Sequence, residues 1–220
     1  MTTPASAPPA ASLSRSLFFL SIFYGGMVCI AGVLGNKQVA LGPLAVESGI
    51  FAFLLLVAVS SAVAELHGRH VANRLVQIGF VPLIASLLLS LLVLALPASP
   101  QMEPARIEAF DLMMSGTPRI WAGGIFAYGI SQMLNVTIFT RLKREGGKLL
   151  WLRAAIAGVL SQIVDTLIFV SVAFYGVFPI GELLLGQMLA KVVLSAILVP
   201  ALIYGFIALG RHLDRSAPAA

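Results

Sequence analysis

The stretch LVQIGFVPLIASLLLSLLVLAL, residues 75–96, contains no charged side chain. A helix rises about 1.5 Å per residue, so a run of about 20 apolar residues spans the roughly 30 Å hydrocarbon core of a bilayer. Comparable apolar runs lie on both sides of it, at residues 17–34, 47–66, 120–142, 150–175 and 181–208. The sequence therefore predicts an all-α polytopic membrane protein, a bundle of six transmembrane helices.

Composition supports a single membrane domain. Of the 220 residues, 59% are hydrophobic and 10% are charged, whereas soluble domains carry about 25% charged residues. Residues 1–16 are rich in Ala, Ser and Pro and predict a disordered cytoplasmic tail. We expect residues 17–210 to form the six-helix transmembrane domain and residues 211–220 to form a cytoplasmic C-terminal tail. The loop at 97–118 is too short for a second domain.

Basic residues are distributed unevenly between the connections. One side of the predicted bundle holds ten of the fourteen: Arg15, Arg69, Arg74, Arg141, Lys143, Arg144, Lys148, Arg153, Arg211 and Arg215. Lys and Arg accumulate in cytoplasmic loops, so this asymmetry predicts that both termini are cytoplasmic. The same bias accounts for the net charge of +5, and we expect no nucleic-acid partner.

The sequence offers few residues for metal or covalent chemistry. Cys29 is the single cysteine, and His67 and His70 lie together in a basic turn. Structural zinc sites use four ligands, and the sequence has no phosphate loop of the Gly-Lys-Ser kind. We therefore expect no metal, no cofactor and no enzymatic activity.

Four ionisable residues lie within the predicted spans or at their ends: Lys37, Glu65, Asp165 and Lys191. A charge at the centre of a span costs about 2.5–3.5 kcal/mol on insertion scales, so it calls for a partner or a function. Asp165 and Lys191 each lie roughly ten residues from the same membrane face. Their matching depths predict an ion pair, which could be structural, could line a cavity, or could do both.

A polar motif occurs in two consecutive spans. SQxxNxxIF at 131–139 recurs thirty residues later as SQxxDxxIF at 161–169. Residues three or four apart share a helical face, so the polar members of each copy can meet between helices at similar depth. Two interpretations fit: interhelical hydrogen bonding, or donors and acceptors that line a site for a small polar ligand. The candidate residues are Gln132, Asn135, Gln162 and Asp165.

Taken in order along the chain, these motifs resemble one family, the YhhQ-type queuosine precursor transporters of the vitamin uptake transporter group. The resemblance covers roughly residues 25–205. Its matching positions are Gly35-Asn36-Lys37, Glu65 with Gly68, residues 116–120, the SQxxNxxIF copy, Leu142-Lys143, Leu150-Trp151-Leu152-Arg153, the SQxxDxxIF copy and Lys191. The chain departs from the family pattern at Ser61 and Asn135, where the family has Asp, and at His67 and Ala154-Ala155.

The resemblance implies a bacterial inner-membrane importer of 7-cyano-7-deazaguanine or its 7-aminomethyl relative, used to make the queuosine base of transfer RNA. It implies that Asp165 or Glu65 accepts the guanine-like edge and that Lys191 balances Asp165. Phe139 and Phe169 could form apolar walls. The remaining predicted binding residues are Gln132, Asn135, Gln162, Asn36 and Lys37.

Other functions remain open at this point. The chain could be the substrate-binding subunit of a vitamin-type uptake system that depends on a separate ATPase, or a structural membrane protein. The expected partners are a small-molecule 7-deazaguanine and the lipid bilayer, and a homo-oligomer is compatible with the sequence.

Overall fold

The computed structural model of the protein describes residues 14–42, 44–116, 118–143, 149–176 and 180–215. Most of the two predicted tails lies outside the described residues, as do Arg144 and Lys148 of the predicted basic side. The first helix begins at Arg15, after its N-cap Ser14, and the last helix ends at Arg215. Helical structure therefore continues a few residues past the predicted domain bounds of 17 and 210.

Six helices in the described part of the chain are long and apolar enough to cross a membrane, which confirms the predicted architecture. They are α1 (Arg15–Leu34), α2 (Gly49–His67), α3 (Arg69–Ala95), α5 (Pro118–Arg141), α6 (Leu150–Phe174) and α7 (Gly181–Arg215). We call the end of the bundle where α1 starts and α7 ends the basic side, since it carries Arg15, Arg69, Arg141, Arg153 and Arg215.

Two short elements between the spans were not predicted. An antiparallel hairpin joins β1 (Gln38–Leu41) to β2 (Leu44–Glu47), and α4 (Pro104–Met114) lies inside the predicted loop. Pro at the first helical position of α4 supplies a preorganised φ angle and lacks an amide hydrogen that would be unpaired there. We call the end of the bundle that carries the β1–β2 hairpin, opposite the basic side, the hairpin side.

Helix α2 lies at the centre of the bundle and contacts α1, α3, α5 and α7. Every residue from Leu56 to Ala64 is buried. This segment is built from Ala, Ser and Val apart from its first residue, and small side chains allow neighbouring helices to approach closely. The central position of α2 follows from this composition.

The hairpin is fixed to the ends of the first two helices. Ser48 Oγ lies 2.6 and 2.9 Å from the carbonyl oxygens of Leu34 and Lys37, which share its single hydroxyl hydrogen. A Cβ at Gly49 would lie 2.9 Å from the carbonyl oxygen of Ala31, so only glycine permits this approach of α1 and α2. Strand β2 also packs against α7, which directs Glu47 towards the interior of the bundle.

Candidate functional site

A cavity of about 440 Å³ opens within the bundle near the hairpin side. Residues from all six spanning helices line it, together with β2 and the end of α4. Most of the lining is apolar or aromatic, and its charged side chains are Glu47, Asp165 and Lys191. Binding sites for small molecules have this character, in which a few polar groups orient a ligand between apolar walls.

Asp165 and Lys191 form the ion pair that the sequence predicted. Lys191 Nζ lies 3.3 Å from Asp165 Oδ2, and Ser131 Oγ donates a hydrogen bond to Asp165 Oδ1, also at 3.3 Å. Each residue of the pair is 6% exposed. The pair joins α6 to α7 and Ser131 adds α5, so the two copies of the polar motif meet at this point.

Glu47 brings a second carboxylate to the cavity. Its Oε1 accepts a hydrogen bond of 3.5 Å from Gln187 Nε2. Burial raises the pKa of Glu47 above its ordinary value; Lys191 and the hydrogen bond from Gln187 oppose this increase, and Asp165 adds to it. The sequence analysis missed Glu47, although an acidic residue at the first position of an apolar run was a usable signal.

Tyr128 forms part of the cavity wall and was also not predicted. Its hydroxyl donates a hydrogen bond to the carbonyl oxygen of Val76 at 2.9 Å and lies 3.0 Å from the hydroxyl of Tyr24. A Cβ at Gly79 would collide with the Tyr128 hydroxyl. Glycine at this position therefore lets the tyrosine pair link α1, α3 and α5 beside the cavity.

Gln132 and Asn135 face α2 and are not among the described residues that line the cavity. Ser60 Oγ donates a hydrogen bond to Gln132 Oε1 at 3.2 Å. Asn135 Nδ2 lies 3.2 Å from Ser60 Oγ, 3.0 Å from Ser61 Oγ and 3.3 Å from the carbonyl oxygen of Val57, so its two N–H groups are shared among these three acceptors. These bonds correspond to the interhelical interpretation of the motif.

Gln162 lies one turn of α6 before Asp165, towards the basic side, and is 1% exposed. Neither its Oε1 nor its Nε2 has a hydrogen-bond partner among the described residues, and the same holds for Gln132 Nε2 and Asn135 Oδ1. Buried polar atoms are almost always paired in native proteins. These unsatisfied amide atoms thus form a second polar group within the bundle, separate from the Asp165–Lys191 pair.

Glu65 lies at the basic side and outside the described cavity lining. Its carboxylate contacts Arg153 Nη2 at 2.9 Å and Lys143 Nζ at 3.2 Å. The Arg153 guanidinium also lies 4.7 Å from the centre of the Phe139 ring. Of the two phenylalanines considered as walls, Phe169 lines the cavity, whereas Phe139 packs under Arg153.

Asn36 and Lys37 occupy the connection between α1 and the hairpin. Asn36 lines the cavity mouth, and its Nδ2 donates hydrogen bonds to the carbonyl oxygens of Gly32 and Val33 at the end of α1. Lys37 is exposed, and its carbonyl oxygen accepts the hydrogen bonds from Ser48. The structure therefore brings Asn36, Asp165 and Lys191 to one cavity and places Lys37, Glu65, Gln132, Asn135 and Gln162 outside its lining.

Six helices long and apolar enough to span a membrane, around a cavity with a buried ion pair, define a polytopic membrane protein with an internal polar site. Residues 47–205 match the family model described as "Putative vitamin uptake transporter". The chain belongs to this family, and it is accordingly a transporter rather than an enzyme.

Two curated relatives resemble most of the chain. One is the "Probable queuosine precursor transporter" of Bacillus subtilis (strain 168), 27% identical over 187 residues, which cover 82% of this chain and 80% of that protein. The other is the "Queuosine precursor transporter" of Escherichia coli (strain K12), 24% identical over 162 residues, 73% of this chain and 70% of that protein. These matches confirm the family resemblance found in the sequence. No solved structure gives a significant match.

Proposed function

We propose that this protein imports a queuosine precursor, 7-cyano-7-deazaguanine or its 7-aminomethyl relative, across a bacterial inner membrane. The names of the two relatives support the substrate class. The observation that carries the proposal is the Asp165–Lys191 pair in the wall of a cavity of about 440 Å³. That volume lies within the range of about 300–1,000 Å³ found for small-molecule sites.

Asp165 suits the recognition of a guanine-like edge. A deazaguanine presents a ring N–H beside an exocyclic amine, and the two oxygens of one carboxylate can accept both hydrogen bonds together. The base would replace the contacts that Ser131 and Lys191 make with Asp165. Lys191 would then be free to donate to the carbonyl oxygen of the base, while Trp121 and Phe169 offer aromatic faces to the ring.

Glu65 suits a different role in the same transporter. Its ion pairs with Arg153 and Lys143 close the bundle at the basic side, opposite the hairpin side where the cavity opens. Because Lys and Arg collect on the cytoplasmic face, we assign the basic side and both termini to the cytoplasm. Separation of Glu65 from Arg153 would then open the path inward.

We assign the buried amides of Gln132, Asn135 and Gln162 to the path of the solute between Asp165 and Glu65. Gln162 precedes Asp165 by one helical turn in the direction of the basic side, and both of its amide atoms are unpaired within the described structure. Gln132 and Asn135 each keep one unpaired atom. These amide atoms are already buried away from water, so a hydrogen bond to a passing base would require little further desolvation energy.

The test is uptake-dependent queuosine in transfer RNA, measured in cells that lack their own precursor synthesis and their own importer. We expect the wild-type chain to restore queuosine from external precursor and Asp165→Asn to abolish it at equal membrane abundance. Glu103→Gln is the matched control, since that carboxylate is 68% exposed and outside the cavity lining. No restoration by the wild type, or full activity of Asp165→Asn, would contradict the proposal.

The same chain, purified and placed in liposomes, distinguishes a self-sufficient carrier from a substrate-binding subunit. Exchange of labelled precursor without any added ATPase is the expected result for a carrier. Binding without exchange would favour the subunit.

A further inference from the structure

Glu47 is a carboxylate of the cavity that no basic side chain neutralises. Lys191 is already paired with Asp165, and none of the ion pairs among the described residues includes Glu47. With all three groups ionised, the charged lining of the cavity has one more negative than positive charge. In this ionisation state, the described lining of the cavity favours a ligand that carries one positive charge.

Gln187 of α7 holds this carboxylate at the cavity wall. Its side chain is 2% exposed, and its Nε2 donates to Glu47 Oε1 at 3.5 Å. Gln187 itself is not among the described residues that line the cavity, whereas Glu47 is. The carboxylate of Glu47 is therefore the group that a ligand in the cavity can contact.

Among the described side chains, the charged groups that act on Glu47 from the packed helices are Lys191 of α7 and Asp165 of α6. Strand β1, paired with β2, has the sequence QVAL, and the described lining residues of α1, α2, α3 and α5 are uncharged. A cationic ligand in the cavity would therefore give Glu47 a positive N–H donor that these described residues do not give it.

We propose that Glu47, held in place by Gln187, binds a protonated amine of the transported solute, so that the cavity prefers the cationic 7-aminomethyl base to the neutral 7-cyano base. This inference rests on the proposed function. A primary alkyl amine, like that of lysine, is protonated at neutral pH, and an ammonium group can donate a charge-assisted hydrogen bond to a carboxylate. A nitrile has no N–H to donate. The 7-substituent and the guanine-like edge leave the bicyclic ring in different directions, so Asp165 and Glu47 can each take one of them.

The test uses the full chain in liposomes loaded with unlabelled 7-cyano base, with counterflow of the labelled 7-cyano base as the signal. Each unlabelled base is added outside as a competitor, and the ratio of the two half-inhibitory concentrations is measured. In the wild type, the 7-aminomethyl base should compete at least about tenfold better, the effect expected of one charge-assisted hydrogen bond. In Glu47→Gln this ratio should fall about tenfold, whereas Glu103→Gln should keep it.

Acidity provides an independent measurement on the wild type. Burial raises the pKa of Glu47, so on acidification this carboxyl becomes neutral at a higher pH than an ordinary glutamate does. The preference for the aminomethyl base should therefore be present at higher pH and decrease as the pH falls through the raised pKa. In Glu47→Gln the preference should no longer depend on pH in this range.

The outcomes separate this inference from the proposed function. If the wild type shows neither counterflow of the labelled 7-cyano base nor binding of the 7-aminomethyl base, the proposed function fails. If the two bases compete with equal half-inhibitory concentrations, or if Glu47→Gln weakens both competitors equally, the inference alone is overturned. Should Glu47→Gln aggregate on size-exclusion chromatography, Glu47→Ala takes its place, and an unchanged ratio in that variant is equally decisive against the inference.

Discussion

Lys191 should be more costly to replace than its partner Asp165, because a second carboxylate lies near the pair. At the observed 3.3 Å, two unit charges attract by about 5 kcal/mol at an effective dielectric constant of about 20, before desolvation is subtracted. Removing one partner of a buried pair costs about 3–5 kcal/mol, since the remaining charge is uncompensated. Lys191→Met leaves Asp165 and Glu47 without a cation, so the upper part of that range, about 4–5 kcal/mol, is expected.

Asp165→Asn should cost less, about 2 kcal/mol, because the lysine can still be neutralised by Glu47. In the double variant Asp165→Asn/Lys191→Met, one carboxylate remains, and its raised pKa allows it to take up a proton. The double variant should therefore be more stable than Lys191→Met. Free energies of unfolding from detergent-solubilised protein titrated with SDS provide the measurement.

The control for this series is Lys37→Met, which makes the same chemical change at an exposed position on the hairpin side. Its effect should stay within about 0.5 kcal/mol. Equal losses for Lys191→Met and Asp165→Asn, or a double variant less stable than both single variants, would refute the assignment of Glu47 as the nearby compensating charge.

Two further predictions concern the basic side and the cavity wall. Glu65→Gln leaves the buried guanidinium of Arg153 without its counter-ion and should lower the free energy of unfolding by about 3 kcal/mol. Lys143→Gln removes a half-exposed partner of Glu65 and should lower it by under about 1 kcal/mol. Similar decreases for the two variants in SDS titrations would contradict the buried pair. Gly79→Ala places a methyl group against the buried hydroxyl of Tyr128 and should lower the free energy of unfolding by about 1–3 kcal/mol. The control Gly26→Ala has no atom within 4 Å of its new Cβ and should be neutral or stabilise the protein by up to about 1 kcal/mol. Wild-type stability of Gly79→Ala would refute the close contact.

The spans and the Asp165–Lys191 pair were predictable because both depend on distance along a helix axis. Helical rise per residue is nearly constant, so counting from the membrane face gives depth, and two opposite charges at one depth in adjacent spans are within reach of each other. Glu47 could not be located in this way. Its approach to Lys191 depends on a two-stranded hairpin and on the packing of β2 against α7, and the sequence has no periodic signal for either.

The neighbours of the polar motif were equally difficult to predict. Spacing places Gln132 and Asn135 near one face of α5, but it does not tell which helix that face contacts. That face contacts α2, the central helix of the bundle, and Ser60 and Ser61 of α2 are the hydrogen-bond partners of Gln132 and Asn135. Hydropathy alone does not distinguish a span surrounded by protein from one that faces lipid.

The two positions at which the sequence resemblance implies Asp lie in contact with each other. Asn135 Nδ2 donates a hydrogen bond of 3.0 Å to Ser61 Oγ. Two aspartates at this distance would share a proton or require a cation, whereas a hydroxyl and an amide form the contact without charge. Neither position lines the described cavity, whose acidic groups are Glu47 and Asp165. A solute that needs two carboxylates must therefore find both on the hairpin side of this protein, where Lys191 can neutralise only one of them.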